Sequence, residues 1–244
     1  MSKVLFLANL DITTIVLDFA AALILFGVLY YTSHYRRRGR TDDRLYFRIV
    51  VITIICAFSS TASCLVDGLQ GDFFNFLKIL VNDIYFVTSI TTFCLIAIYY
   101  DHRSKNMKNG AASLRKPIDK KSAFIISIPA LAFTALILTN HFAHFLFWLD
   151  GTYGRYKELD YYYLIYFFIS AYAVMIIFIC RRDKGAVVLV VLLVASRLVL
   201  DQFMNDLASA ALFNAILVVF MHINEMRGAF YDEEIRAAGE KEGV

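Results

Sequence analysis

The chain has 244 residues, of which 59% belong to the hydrophobic set and 18% are charged, with a net charge of +3. A soluble domain usually carries about a quarter charged residues, so this composition excludes an ordinary soluble globule and points to a membrane protein. At roughly 20 residues per span, seven spans use most of the length, which suits one compact bundle.

No cleavable leader is visible at the start. The first eleven residues hold a single basic residue, Lys3, and no small-residue cleavage site follows the first apolar run, so that run reads as a retained helix. Apolar stretches then recur at residues 12–32, 47–69, 73–100, 122–139, 161–180, 185–204 and 207–224. Each has about 18 residues or more, enough at about 1.5 Å per residue to cross the hydrocarbon of a bilayer. Water is missing there, so the backbone must bond to itself, and a helix does so within one segment. The fourth stretch contains Pro129, and the apolar run at 141–149 either extends it or re-enters the membrane. The expected fold is all-α: a seven-helix membrane bundle over residues 1–226, with a short polar tail over 227–244 that extends the last helix.

The connections carry the orientation. Arg36, Arg37, Arg38, Arg40 and Arg44 follow the first stretch, and seven more basic residues from Arg103 to Lys121 follow the third. Arg181, Arg182 and Lys184 follow the fifth, and Arg227, Arg236 and Lys241 lie in the tail. Eighteen basic residues therefore fall on one side, against Lys3, Lys78, Arg155 and Lys157 on the other. Such a bias places the richer side in the cytosol, so the N-terminus is expected outside and the C-terminus inside a cell membrane. The basic loops lack the aromatic interleaving of a nucleic-acid surface; topology and contact with anionic lipid account for them.

Two of the outer connections are very short. The one after the fourth stretch is long and rich in aromatics and histidine, including His141, His144, Phe147, Trp148, Tyr153 and Tyr156. It is either an interfacial aromatic belt or a lid over an outward-facing pocket.

Ionisable side chains inside spans are costly, about 2.5–3.5 kcal/mol at a helix centre on insertion scales. Asp18, Asp83, Arg197 and Asp201 fall there. Asp201 follows Arg197 by four residues, so the two share a helix face. Arg197 is placed to pair with Asp83, with Asp201 or with both, as a packing ion pair or as a ligand contact. Asn75, Asn82, Gln202 and Asn214 are expected to make interhelical hydrogen bonds. Cys56, Cys64, Cys94 and Cys180 match no metal spacing and read as small buried hydrophobes. His222, near the inner end of the last stretch, reads as interfacial.

Several chemistries lack their residues. The last stretch has no lysine for a retinal Schiff base, and no phosphate-binding glycine loop, His-Glu-x-x-His or Gly-x-Ser-x-Gly occurs. Corresponding halves with paired broken helices, as in inverted-repeat transporters, are not seen. No enzymatic activity, cofactor or metal is expected.

Three stretches in order carry a family likeness. Residues 42–48, Asp-Asp-Arg-Leu-Tyr-Phe-Arg, lead to Leu65-Val66-Asp67-Gly68. Asn82-Asp83-Ile84-Tyr85-Phe86 leads to Ile98-Tyr99-Tyr100-Asp101. Phe147-Trp148-Leu149-Asp150 precedes Tyr153-Gly154-Arg155. With these, residues 12–226 resemble the multi-helix sensor region found in front of GGDEF diguanylate cyclase domains in many Gram-positive bacteria; related regions precede histidine kinases. Departures are Cys64, where that family often has Trp, a shorter gap before Tyr153, and Tyr156 in place of Gly. No GGDEF-like run is present, so the resemblance implies no cyclase activity here. It implies that Asp150, Tyr153 and Arg155 form an outer-loop signature.

The expected function is that of a membrane sensor. A small molecule or peptide would bind at the outer ends of the helices, and a cytoplasmic partner would read the change. The candidate ligand contacts are Asn82, Asp83, Arg197 and Asp201 within the spans, and Trp148, Asp150, Tyr153 and Arg155 in the outer connection. The alternatives are a transporter or channel for small solutes or ions, and a partner subunit without a ligand.

Overall fold

A computed structural model describes residues 2–35, 41–66, 69, 71–106, 117–143, 146–150, 155–158, 163–180, 187–188, 190–192 and 212–223. The elements run α1 (Ser2–Tyr35), α2 (Thr41–Val66), α3 (Asp72–Asn106), α4 (Lys120–Ala143), β1 (Phe147–Asp150), β2 (Arg155–Glu158) and α5 (Tyr163–Cys180). A last helix, α6, covers Leu212–Ile223. The chain is a helical membrane protein: α1 to α4 each contain a segment long and apolar enough to cross a bilayer. Of the predicted sixth stretch, residues 187, 188 and 190–192 are helical. Arg197, Asp201, Gln202 and the tail lie outside the described residues.

Local chemistry sets the helix ends. Asp119 begins α4: its Oδ1 accepts the Lys121 N–H at 3.1 Å and its carbonyl accepts the Ala123 N–H at 2.9 Å, the arrangement of an N-cap. Asp72 stands in the first turn of α3, and Arg103 and Lys105 in its last turn, signs that suit the helix dipole. Gly71 precedes α3 with φ of 120°, a conformation that L side chains strain to reach. This lets α2 turn into α3 within a few residues. Helices α3 and α4 both run past the apolar stretches that announced them, ending at Asn106 and Ala143. The run at 141–149 therefore extends α4 briefly and then becomes strand β1.

Strands β1 and β2 form an antiparallel hairpin, the sheet structure among the described residues. Phe147 pairs with Glu158, Trp148 with Lys157, Leu149 with Tyr156, and Asp150 with Arg155.

Helix α3 is central and packs on α2, α4 and α5, while α1 covers α2. The main core joins Leu25, Ile49, Ile90, Ile96, Phe133, Tyr172, Ile176 and Val218 from six helices. The outside is just as apolar. Val16, Phe19 and Leu23 on α1, Phe124, Ile128 and Leu131 on α4, and Phe167, Val174 and Phe178 on α5 are exposed. Soluble monomers rarely show apolar patches beyond a few hundred Å². In hydrocarbon the same faces need no cover.

Candidate functional site

The helices α1 to α4 pack in chain order, α1 on α2, α2 on α3 and α3 on α4, so the two ends of α3 can be told apart by what lies at each. Gly71 and Leu69, at the α2–α3 turn, lie at the start of α3, and the charged cluster of Asp101, Lys105 and Asp119 lies at its other end. A polar seam descends α3 from its start. Asn75, Lys78, Asn82, Tyr85 and Ser89 recur every three or four residues and so share one helix face.

Lys78 is 2% exposed, and its Nζ donates to the Leu69 carbonyl at 2.6 Å. Its long side chain thus closes the end of α2 onto α3. The sequence placed Lys78 only among the outer charges; its burial is a new finding. Ser63 on α2 donates to Asn82 Oδ1 at 2.7 Å, the interhelical bond expected of an asparagine here. The adjacent Asp83 is half-buried. The Asn75 carbonyl oxygen is buried with no hydrogen-bond partner among the described residues.

Deeper, three helices share one polar point. Asn214 of α6, fully buried, donates from Nδ2 to Ser89 Oγ of α3 at 3.3 Å and reaches Cys56 Sγ of α2 at 3.9 Å. Cys56 in turn points to the Tyr85 carbonyl at 3.9 Å. Asn214 Oδ1 has no hydrogen-bond partner among the described residues. Asp18 of α1 is also fully buried, one turn from Ala22, which packs with Cys56 and Ala57. Several threonine hydroxyls are instead satisfied within their own helices: Thr53 bonds the Ile49 carbonyl, Thr91 that of Val87, and Thr92 that of Thr88. The interhelical polar contacts therefore stand out as a separate class. Cys56, Cys94 and Cys180 are buried and Cys64 is half-buried.

The hairpin assembles part of the outer-loop set. Asp150 and Arg155 lie directly opposite each other in register, and Trp148 lies opposite Lys157. Tyr153 falls outside the described residues.

At the basic end, α3 and α4 are tied by charge. Asp101 Oδ2 accepts from Lys105 Nζ at 2.8 Å and from Ser122 Oγ at 2.7 Å, and Lys105 Nζ also lies 3.7 Å from Asp119. Beside this, rings join four helices. His222 of α6 stacks on Tyr46 of α2 at 5.8 Å and meets the edge of Tyr31 of α1 at 5.2 Å. Tyr46 also bonds the Val218 carbonyl at 3.3 Å and lies 6.4 Å from Tyr99 of α3. His222 is a bundle contact rather than a purely interfacial residue.

The structure joins Asn82 to α2 and sets Asp150 against Arg155. It does not describe Arg197 or Asp201, so the proposed pairing with Asp83 lies outside the described residues. No group of three or more His, Cys, Asp or Glu placed to hold a metal ion occurs among the described residues. The chain matches no protein-family model and no curated protein.

Proposed function

We propose that this chain is a seven-span membrane sensor, with its N-terminus and hairpin outside the cell and its basic connections in the cytosol. Its ligand, a small molecule or peptide, binds at the hairpin end, and a cytoplasmic partner reads the basic end. The observation that carries the reading is the division of labour along α3. Its first half bears the seam of Asn75, Lys78, Asn82 and Asp83. Its basic-end half bears Tyr99, Asp101 and Lys105, which bind α2 and α4 neighbours. A change at one end of a rigid helix reaches the other without a separate relay. The excess of basic residues at one end supports the orientation. The likeness to sensor regions that precede GGDEF domains supports the class of output.

A direct test joins residues 1–226 to a diguanylate cyclase output domain and reads cyclic dinucleotide formation. Asn82→Leu is expected to shift output while membrane insertion is retained. Equal output from wild type and Asn82→Leu, at equal insertion, argues against the reading.

Transport is the second reading, favoured by the fully buried carboxylate of Asp18. Ionisable groups at such depth often mark ion or proton paths. Proteoliposomes separate the two. The sensor reading expects no flux of Na⁺, K⁺ or H⁺ above empty vesicles, and a flux abolished by Asp18→Asn establishes transport.

A further inference from the structure

Helix α4 contains Pro129 in its interior. Proline has no N–H to give, and its ring presses on the carbonyl four residues back, that of Ile125. The next rung of the ladder, in a regular helix, is the Ala130 N–H with the Ile126 carbonyl. Here both groups bond the same foreign hydroxyl. The Ala130 N–H donates to Tyr172 Oη at 3.0 Å, and Tyr172 Oη donates to the Ile126 carbonyl at 2.8 Å. Tyr172 belongs to α5 and is fully buried. Its hydroxyl therefore bridges the two groups that an undisturbed α4 joins to each other.

The surroundings fit a joint rather than a loose spot. Ser127 and Thr134 return their hydroxyls to the carbonyls of Ala123 and Ala130, at 2.8 and 2.9 Å. Cys94 of α3 lies 3.6 Å from Ser127 Oγ. Beyond the joint, α4 runs on to Asn140, whose Oδ1 accepts the N–H of the buried Leu146 at 2.7 Å. Strand β1 begins at the next residue. The hairpin is thus fastened to the segment of α4 beyond Pro129.

We propose that Pro129 makes α4 a jointed helix and that the Tyr172 hydroxyl is the latch of the joint. Both positions of the latch satisfy the backbone. With the hydroxyl seated, Ala130 and Ile126 bond to it. With it withdrawn, they close on each other as in a regular helix, and only the phenol gives up its two bonds. Because the backbone of α4 is satisfied in both arrangements, the joint switches at the cost of the phenol's bonds alone, and not of an orphaned backbone rung in the membrane. The seated latch holds residues 130–143, and with them the hairpin, against α5. That this movement gates the outer end rests on the sensor reading; the latch itself does not.

The test uses the full-length protein in lipid nanodiscs without added ligand, so latch and sensor stand or fall separately. Tyr172→Phe keeps the ring and removes only the hydroxyl. Hydrogen exchange of peptides covering 126–134 is expected to quicken by about five- to thirtyfold, because residues 130–143 lose their tie to α5 and the rung between Ala130 and Ile126 is left to open alone. Spin labels at Phe142→Cys and Phe73→Cys, both exposed positions near the hairpin end in a Cys64→Ser background, are expected to show a shifted or broadened distance. Adding Pro129→Ala, which restores the ladder, is expected to return both readouts to the unaltered values. Exchange and distance unchanged in Tyr172→Phe overturn the proposal. So does a Tyr172→Phe effect of equal size in the Pro129→Ala background, because the joint would then owe nothing to the proline.

Discussion

Asn214 and Ser89 meet across 3.3 Å at a point where both are buried, and through them α6 is bonded to α3. Without a hydrophobic force between helices in lipid, contacts of this kind and close packing hold such a bundle together. Replacing both, as Asn214→Leu with Ser89→Ala, is expected to show a coupling of about 0.6 kcal/mol, the average for interhelical bonds in a membrane protein. The measurement is a double-mutant cycle by detergent-induced unfolding. Strict additivity means that the pair contributes nothing.

The Ser63–Asn82 bond is the corresponding tie between α2 and α3. Ser63→Ala leaves the Asn82 carbonyl oxygen without this donor and is expected to destabilise the fold by about 0.5–1.5 kcal/mol. Ser63→Thr keeps a hydroxyl and is expected to retain most of the stability. Equal melting of Ala and wild type removes Ser63 from the seam.

Lys78 tests whether a buried amine closes the α2–α3 turn. Lys78→Met keeps the apolar stem and removes the donor to the Leu69 carbonyl, at an expected cost of about 1–3 kcal/mol. Lys78→Arg is not expected to rescue it, because a planar guanidinium does not occupy the place of a compact ammonium. Thermal unfolding in detergent reads both. A Met variant as stable as wild type assigns Lys78 a different role.

Lys105 offers the contrast. Its side chain is about half exposed, and its bonds to Asp101 and Ser122 lie at the polar end of the bundle. Exposed pairs of this sort contribute about 0–1 kcal/mol and weaken with salt. Lys105→Ala is expected to change stability little, and less at 0.5 M salt, while altering any output read at this end. A large, salt-independent loss of stability contradicts the surface character of the cluster.

The first four spans were legible because an uninterrupted apolar run of about 20 residues matches the thickness of the hydrocarbon layer and suits little else. The helix ends were less so. Helix α3 continues over Asp101-His102-Arg103 because a helix leaving hydrocarbon does not stop where its side chains turn polar. The strand pair β1–β2 was not read from the sequence, although Gly151 and Gly154 between its two short runs are a turn signal. Asn82 and Asn214 were readable as interhelical donors or acceptors, since amides in a membrane need partners. Lys78 and Tyr172 were not. Nothing local to Lys78 reveals that its stem folds back to Leu69, and nothing in the run around Tyr172 reveals a proline in another helix for its hydroxyl to serve. Such relations arise only from tertiary packing.

The most direct test of the whole account is the side of the membrane on which each end lies. In a Cys64→Ser background, Tyr153→Cys and Arg37→Cys are exposed to a membrane-impermeant thiol reagent on intact cells. The account predicts that position 153 labels at once and position 37 only after permeabilisation. Labelling of position 37 from outside, with position 153 protected, would invert the bundle and contradict a ligand site at the hairpin end facing the exterior.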